Sequence, residues 1–372
     1  MYTKMNFPVK KVLVLYTGGT IGMQRNSQGV YEPLNGKFVE EIRRIGVFHN
    51  QKLAEELRLS AEQLIIPDVL MKNNLIYTIK EYDPLLDSSN MSIEDWQKIA
   101  EDIEDEYENF DGFVILHGTD TIAYTASALS FILEGLSKPV ILTGSQIPIF
   151  EVRNDAKDNF LTSLVLSSCF DIREVCIYFS NKLFRGNRTR KVSSDLLEAF
   201  NSPNYHILAD CGIDIKVYHQ YLFKPDEQLS KLNVKKSLNP NVGIFYLFPT
   251  ITVKMLKSFL KPPIEGIVLV SYGAGNIQSE REDLLEILKQ AVNRGIIIIN
   301  VTQCVQGTVN SSYATGQVLN SIGVLPGFDM TAEAALCKLS FVLGLEDKTL
   351  IEKKAMILKD LRGELSRNVN II

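Results

Sequence analysis

Metal and disulfide chemistry find little to work with in this sequence. Its five cysteines, Cys169, Cys176, Cys211, Cys304 and Cys337, are odd in number and contain no CxxC pair, so neither a disulfide framework nor a zinc site is expected. The four histidines, His49, His117, His206 and His219, show no i, i+4 pairing and no cysteine partners. No apolar run approaches the roughly 20 residues that span a bilayer. Charge is not gathered either. The 39 Lys and Arg against 44 Asp and Glu leave a net charge of −5, with no basic stripe for nucleic acid and no cluster for an anionic membrane. Residues 1–11 lack the apolar core and cleavage site of a secretory signal, and no internal repeat is present. These absences point to a cytoplasmic protein without metal, cofactor, nucleic-acid or membrane partner. Its chemistry is expected to run on hydroxyls, carboxylates and amines.

What is present begins at Val12-Leu13-Val14-Leu15, a run that reads as a strand buried on both faces. Thr17-Gly18-Gly19-Thr20 follows at once. Two glycines let the backbone turn sharply and leave N–H groups open to a ligand. Thr20 then stands past the strand end, where a hydroxyl becomes a nucleophile if a neighbour takes its proton. Taken alone, a tight turn is the simpler reading. The pattern recurs, however. A strand over 75–82 leads into Asp87-Ser88-Ser89-Asn90, and Ser92 with Asp95 makes a capping-box-like start to a helix reaching about residue 107. A strand over 111–116 leads into His117-Gly118-Thr119-Asp120-Thr121 and a helix over 122–136. A third, over 139–142, leads into Thr143-Gly144-Ser145-Gln146 and a helix over 155–169. His117 has no obvious partner and reads as structural.

Strand, Gly/Thr/Ser loop, helix and strand again is the order of βαβ units on a parallel sheet, whose ligands gather at the carboxyl ends of the strands. The polar segment after Thr20, with Gly29 and Tyr31, reads equally as a lid or as a surface loop. A solvated basic turn is the simplest reading of 183–191. Lys191 is kept as a candidate because a lysine beside Thr119 and Asp120 would complete a proton-handling set. Apolar periodicity weakens over 216–240, taken as a linker. Strands and helices resume beyond it. With 372 residues and 45% hydrophobic content, the expectation is a two-domain α/β protein. A larger Rossmann-like parallel-sheet domain covers 1–215, and a smaller C-terminal α/β domain covers 241–372.

Tyr16-Thr17-Gly18-Gly19-Thr20-Ile21-Gly22 and His117-Gly118-Thr119-Asp120-Thr121 together resemble the paired active-site signatures of the L-asparaginases. Asp87-Ser88-Ser89-Asn90-Met91, Thr143-Gly144-Ser145-Gln146, Arg185-Gly186-Asn187-Arg188 and Ser271-Tyr272-Gly273-Ala274-Gly275-Asn276 extend the resemblance over nearly the whole chain. The wording around Arg185 and Thr302-Gln303-Cys304 is similar to the cytoplasmic type I branch. The resemblance implies hydrolysis of L-asparagine to L-aspartate and ammonia, with Thr20 as nucleophile and Tyr31 hydrogen-bonding its hydroxyl. It further implies that Thr119, Lys191 and Asp120 position and deprotonate the attacking group. Gly19, Asp87, Ser88, Ser89, Thr119 and Asp120 would line the substrate site, with Ser88, Ser89 and Asp120 on its α-carboxylate and α-amino groups. It also implies a homodimer or homotetramer, and a possible regulatory site at Thr302 and Cys304. Val270 stands where that site has an arginine, and Arg190 where it has a small hydroxyl residue, so a carboxylate there loses its partner.

Two other readings compete. An ammonia-releasing subunit of a tRNA-dependent amidotransferase shares these signatures but carries an extra N-terminal domain. A non-catalytic protein could bind phosphate at the Gly-Gly turn, although that turn precedes irregular chain and no Walker lysine follows.

Overall fold

Val12, Val14 and Tyr16 pack into one hydrophobic cluster, and Leu13 and Leu15 into another. Successive side chains of a strand point to opposite faces, so an unbroken apolar run needs cover on both sides. The strand Val9–Gly18 accordingly lies inside a large sheet. The structure, a computed structural model, describes residues 8–70, 73–224, 231–309 and 314–366. Residues 1–7, 71–72, 225–230, 310–313 and 367–372 of the expected domains and linker lie outside the described residues.

Among the described residues the larger sheet has nine strands. Its five central ones, in spatial order Val175–Phe179, Val140–Thr143, Gly112–Leu116, Val9–Gly18 and Asn73–Leu86, are parallel. The edges are antiparallel, which the βαβ reading did not include. Gln63–Val69 pairs with Asn73–Leu86 on one side, while Lys182–Arg185, Ala209–Cys211 and Ile215–Val217 close the other. Three of these four edge strands have four residues or fewer and the fourth is interrupted by Pro67, so none carries the long apolar run of Val9–Gly18. The helix Gln51–Glu56, likewise not foreseen, sits in a charged stretch with only Ala54 buried.

Helices Phe38–Arg44 and Ala156–Cys169 cover one face of this sheet, and Ile93–Asp105 and Ile122–Ile132 the other. Ser92 and Asp95 form the capping box at the start of Ile93–Asp105, a feature worth about 0.5–2 kcal/mol. The helix expected over 122–136 ends at Ile132. There the chain turns into the short strand Leu133–Glu134, which pairs with Asn233–Val234.

The stretch expected as a linker, 216–240, is tied down at both of its described ends. Val217 belongs to the strand Ile215–Val217, and its side chain packs with Tyr221 and Leu222 against a buried cluster. Further on, Leu238 is buried, Gln97 Nε2 donates to the Lys236 carbonyl, and Ser237 Oγ donates to the Gly344 carbonyl. Scattered single anchors of this sort have no period for a sequence reading to detect.

The smaller sheet is parallel, in the order Val242–Tyr246, Gly266–Ser271, Ile297–Thr302, Leu325–Pro326. One core cluster joins the two sheets. It runs from Leu13 and Ile115 through Ile122–Ile132 and the helix Ala332–Gly344 to Val268 and Ile299. Thr331 caps that last helix, accepting from Ala334 N at 3.1 Å. The shared core leaves the two units little freedom to separate without exposing apolar surface.

Candidate active site

The carboxyl ends of the parallel strands Val9–Gly18, Asn73–Leu86, Gly112–Leu116 and Val140–Thr143 share one edge of the larger sheet, where their loops press backbone against backbone. A Cβ on Gly19, whose φ is +88°, would lie 2.5 Å from the Cα of Gly118, and one on Gly118 would lie 2.4 Å from Ser88 Oγ. Only glycine fits either place. Thr121 Oγ1 adds a 2.7 Å bond to the Ser88 carbonyl. The loops carrying Thr20, Ser88 and Thr119 are thereby locked to one another.

Lys191 arrives from farther along the chain. The strand Arg190–Lys191 pairs antiparallel with Phe200–Asn201, and Lys191 Nζ donates to Thr119 Oγ1 at 2.8 Å and to Asp120 Oδ1 at 2.7 Å. The turn before it is not solvated, against the simplest reading of its basic residues. Arg188 is 1% exposed. It donates to the carbonyls of Gly363 and Asp329 and to the Ser366 hydroxyl, and it meets the Asp329 carboxylate at 3.1 Å. Arg185 pairs with Glu174 at 2.6 Å and donates to the carbonyls of Gly363 and Tyr221. Burying two guanidiniums is tolerable only with charges and carbonyls to meet them. The segment 360–366, folded back over the turn, supplies several of these.

A cavity of about 400 Å³ opens between the loops, with Gly19, Thr20, Asp87, Ser88, Thr119, Asp120 and Lys191 on its walls. The Thr20 hydroxyl makes no hydrogen bond among the described residues, whereas Thr119 is held by Lys191. Two other expected site residues stand apart. Ser89 is exposed and does not line the cavity. Tyr31, in a two-stranded hairpin with Met23–Arg25, donates to Glu151 Oε1 at 2.8 Å and accepts from Arg25 Nη2 at 2.8 Å. It makes no bond to Thr20 in this arrangement. Glu151 also holds the Tyr31 phenol above its ordinary pKa range through that hydrogen bond.

Thr302 and Cys304 lie at the end of the strand Ile297–Thr302 in the smaller sheet and do not line the cavity. The Thr302 hydroxyl donates to the Gly273 carbonyl at 2.5 Å and accepts from Cys304 N at 3.0 Å. Arg190 pairs with Glu333 at 3.3 Å, and Val270 is buried in the shared core.

His117 is fully buried, and that burial lowers its pKa to about 4. Trp96 Nε1 donates to the Thr125 hydroxyl, leaving that hydroxyl to donate to His117 Nε2 at 2.9 Å. Nδ1 then donates to the Gly118 carbonyl at 2.7 Å. A neutral ring with both nitrogens occupied is structural, as the sequence reading held.

Gln146, Arg153 and Asp195 also face the cavity, and sequence reading assigned none of them a role. Gln146 had a signal in its position after the strand-end Thr143-Gly144-Ser145; Asp195 lies in a loop whose sequence carries none. Among the described residues no group of His, Cys, Asp and Glu side chains is placed to hold a metal ion.

Residues 11–222 match the family described as "Asparaginase, N-terminal", and residues 241–356 match "Glutaminase/Asparaginase C-terminal domain". The chain belongs to the asparaginase family. It is 47% identical to an L-asparaginase of Dirofilaria immitis over 95% of its own length and 60% of that protein. To a human protein named 60 kDa lysophospholipase it is 43% identical, over 96% of this chain and 62% of that one. It therefore spans about three fifths of the length of these two relatives. The solved structure of L-asparaginase I from Vibrio cholerae O1 biovar eltor str. N16961 superposes with a TM-score of 0.83 at 40% identity, covering 96% of this chain and 99% of that one. The asparaginase fold is thus present over both sheets. No helix among the described residues is long and apolar enough to cross a membrane.

Proposed function

We propose that this chain hydrolyses L-asparagine to L-aspartate and ammonia through an acyl-enzyme on Thr20. The observation that carries the reading is Lys191 held between Thr119 and Asp120, on the wall of the cavity that also exposes the Thr20 hydroxyl. Thr20 Oγ1 attacks the side-chain carboxamide carbon, backbone N–H groups of the glycine turns take up the developing oxyanion, and the hydroxyl proton passes to the departing nitrogen, which leaves as ammonia. Water then attacks the ester, with Thr119 and Lys191 taking its proton and returning it to Thr20 Oγ1 as the ester opens, and Asp120 holding the lysine. Ser88 and Asp120, both on the cavity wall, are assigned to the substrate's α-groups, and Ser89, exposed off that wall, is left without that role. Tyr31 joins Thr20 only if its hydroxyl leaves Glu151, so its assignment requires the hairpin to move. Two domains over 1–215 and 241–372, a homodimeric or homotetrameric assembly and a cytoplasmic location belong to the same proposal. A coupled assay for ammonia released from asparagine tests it, and no release above a Thr20→Val control would refute it.

The cavity walls are mainly polar side chains, with only Met23, Ile147 and Leu197 apolar, which gives a long acyl chain little to lie against. This favours asparagine over a lysophospholipid, the substrate class in the name of the human relative. Preference between asparagine and glutamine turns on one methylene, worth about 1–3 kcal/mol in a pocket. Asparagine is expected to have the higher kcat/KM, by about 10- to 200-fold. An equal or higher value for glutamine would show that the substrate-side residues are wrongly assigned.

Regulation by a second asparagine is expected to be weak or absent. Val270 offers a carboxylate no charge, Arg190 is already paired with Glu333, and the Thr302 hydroxyl is spent on Gly273. Initial rates against asparagine concentration, measured on the assembled enzyme, should follow a hyperbola. A clearly sigmoidal curve with asparagine bound near Thr302 would reverse this expectation.

A further inference from the structure

We infer that Gln146 is a positioning residue for the hydrolysis proposed above, acting through Thr119. It lies three residues into the loop after the strand Val140–Thr143, and its carboxamide faces two ways. Oε1 accepts from Thr119 Oγ1 at 3.4 Å, while Nε2 donates to the carbonyls of Ser194 and Leu196 at 3.2 Å each. The Thr119 bond is long, as such bonds commonly are before substrate binds.

Its backbone is held as firmly. The Asp155 carboxylate accepts from Gln146 N at 3.0 Å and Ile147 N at 2.9 Å. Asn159, 2% exposed, donates to both the Gly144 carbonyl and Asp155, and accepts from Ser180 N. A side chain on so constrained a loop has few places to go.

The consequence lies in the direction of one proton. A protonated Lys191 donates to Thr119 Oγ1, so the Thr119 hydroxyl proton must point elsewhere, and Gln146 Oε1 is the acceptor in place. The line Lys191 to Thr119 to Gln146 orders the hydroxyl so that its remaining lone pair faces the cavity. When Lys191 acts as base it starts neutral: Thr119 turns its proton from Gln146 to Nζ and takes one from the attacking group, so the set gains one proton, which it returns to the departing Thr20 oxygen. Without Gln146 the protonated set loses the acceptor that orders the Thr119 hydroxyl, and the Thr119 lone pair spends less time facing the cavity. Gln146 also ties the loop 193–197, which carries the cavity residue Asp195, to the same set.

The inference rests on the asparaginase reading, and the test separates the two. Purified parent chain, Gln146→Leu, Gln146→Glu, Thr119→Val and the double variant Gln146→Leu/Thr119→Val are compared for kcat and KM with asparagine, alongside thermal unfolding. Gln146→Leu is expected to lower kcat about 10- to 100-fold, with KM changed by less than about threefold. Gln146→Glu keeps an acceptor at the same reach but loses the donors to Ser194 and Leu196, so it should recover part of kcat. In the Thr119→Val background Gln146→Leu should cost nothing further, because the group it orients is gone. A purely structural role would not produce that non-additivity. If Gln146→Leu does not fold, the same cycle run with Gln146→Glu, expected to show the smaller loss only when Thr119 is present, decides the matter. An unchanged kcat, a loss carried by KM, or full additivity with Thr119→Val would overturn the inference while leaving the asparaginase reading intact. A parent chain that releases no ammonia would overturn both.

Discussion

Thr20→Val is expected to end asparagine turnover while leaving fold and substrate binding in place. Valine matches threonine in shape, so the turn after Gly18-Gly19 keeps its contacts and only the hydroxyl is lost. Removing a nucleophile costs far more than removing a helper. The loss should be at least about 10⁴-fold in kcat, whereas loss of general-base help costs about 10²–10⁴-fold. Lys191→Ala and Thr119→Val fall in the second class. If their set chiefly activates the water of the deacylation step, one of these variants should accumulate aspartyl ester on Thr20. Intact-mass spectrometry after mixing with asparagine, followed by peptide mapping, reads this directly. An adduct on Thr119, or one still forming in Thr20→Val, would make Thr119 the nucleophile. Thr119 is already bonded to Lys191 and Gln146, while the Thr20 hydroxyl has no hydrogen-bond partner among the described residues.

The largest effect on stability is expected at Lys338 and Glu364. Both side chains are fully buried, 2.5 Å apart, where the helix Ala332–Gly344 meets the segment 360–366. Every remaining valence is met: Lys338 Nζ donates to the carbonyls of Ile357 and Lys359, and Glu364 accepts from the N–H groups of Leu361 and Arg362. Lys338→Met leaves a buried carboxylate without its cation, and breaking such a pair costs about 3–5 kcal/mol. The midpoint of thermal unfolding should drop by about 5–15 °C, and Lys338→Met/Glu364→Leu should regain much of it. A midpoint unchanged in Lys338→Met would show that the pair contributes nothing. Burial raises Glu364, but the Lys338 charge and the backbone N–H groups outweigh it and hold the carboxyl below its usual range. A folded-state value below the unfolded one means that this stabilisation is present above the unfolded carboxylate range. It is lost as pH falls through the depressed value.

The same segment bears on activity through Arg188, which it buries three residues before Lys191. Damage at Lys338 should therefore loosen the Arg185–Arg188 turn before it reaches the catalytic loops. A variant that loses kcat at a temperature where its core is still folded would be acting by this route.

Much of the architecture was legible because its causes are local. Val12-Leu13-Val14-Leu15 specifies a strand covered on both faces, and Ser92 with Asp95 specifies a helix start, since strand alternation and cap bonds involve residues within a few positions. The glycines at 19 and 118 announced tight turns for the same reason. The antiparallel edges were less visible, because pairing direction depends on where the next strand lands and not on its own period. Among the site residues, the motif resemblance named Thr20, Thr119, Asp120 and Lys191, and composition alone would have left Lys191 in a solvated turn.

What only the tertiary structure decided is which of those side chains meet. Lys191 touches Thr119 and Asp120 across more than 70 residues of chain, Gln146 turns from a strand-end residue into a partner of Thr119, and Tyr31 is engaged by Glu151 instead of Thr20. The sequence by itself determined the elements, the loops at the strand ends and the residue types available for chemistry. The meetings depend on the stacking of whole elements around the shared core. A side-chain bond contributes about 1 kcal/mol against a packing energy spread over many residues, so the packing chooses the partners and no local pattern records the choice.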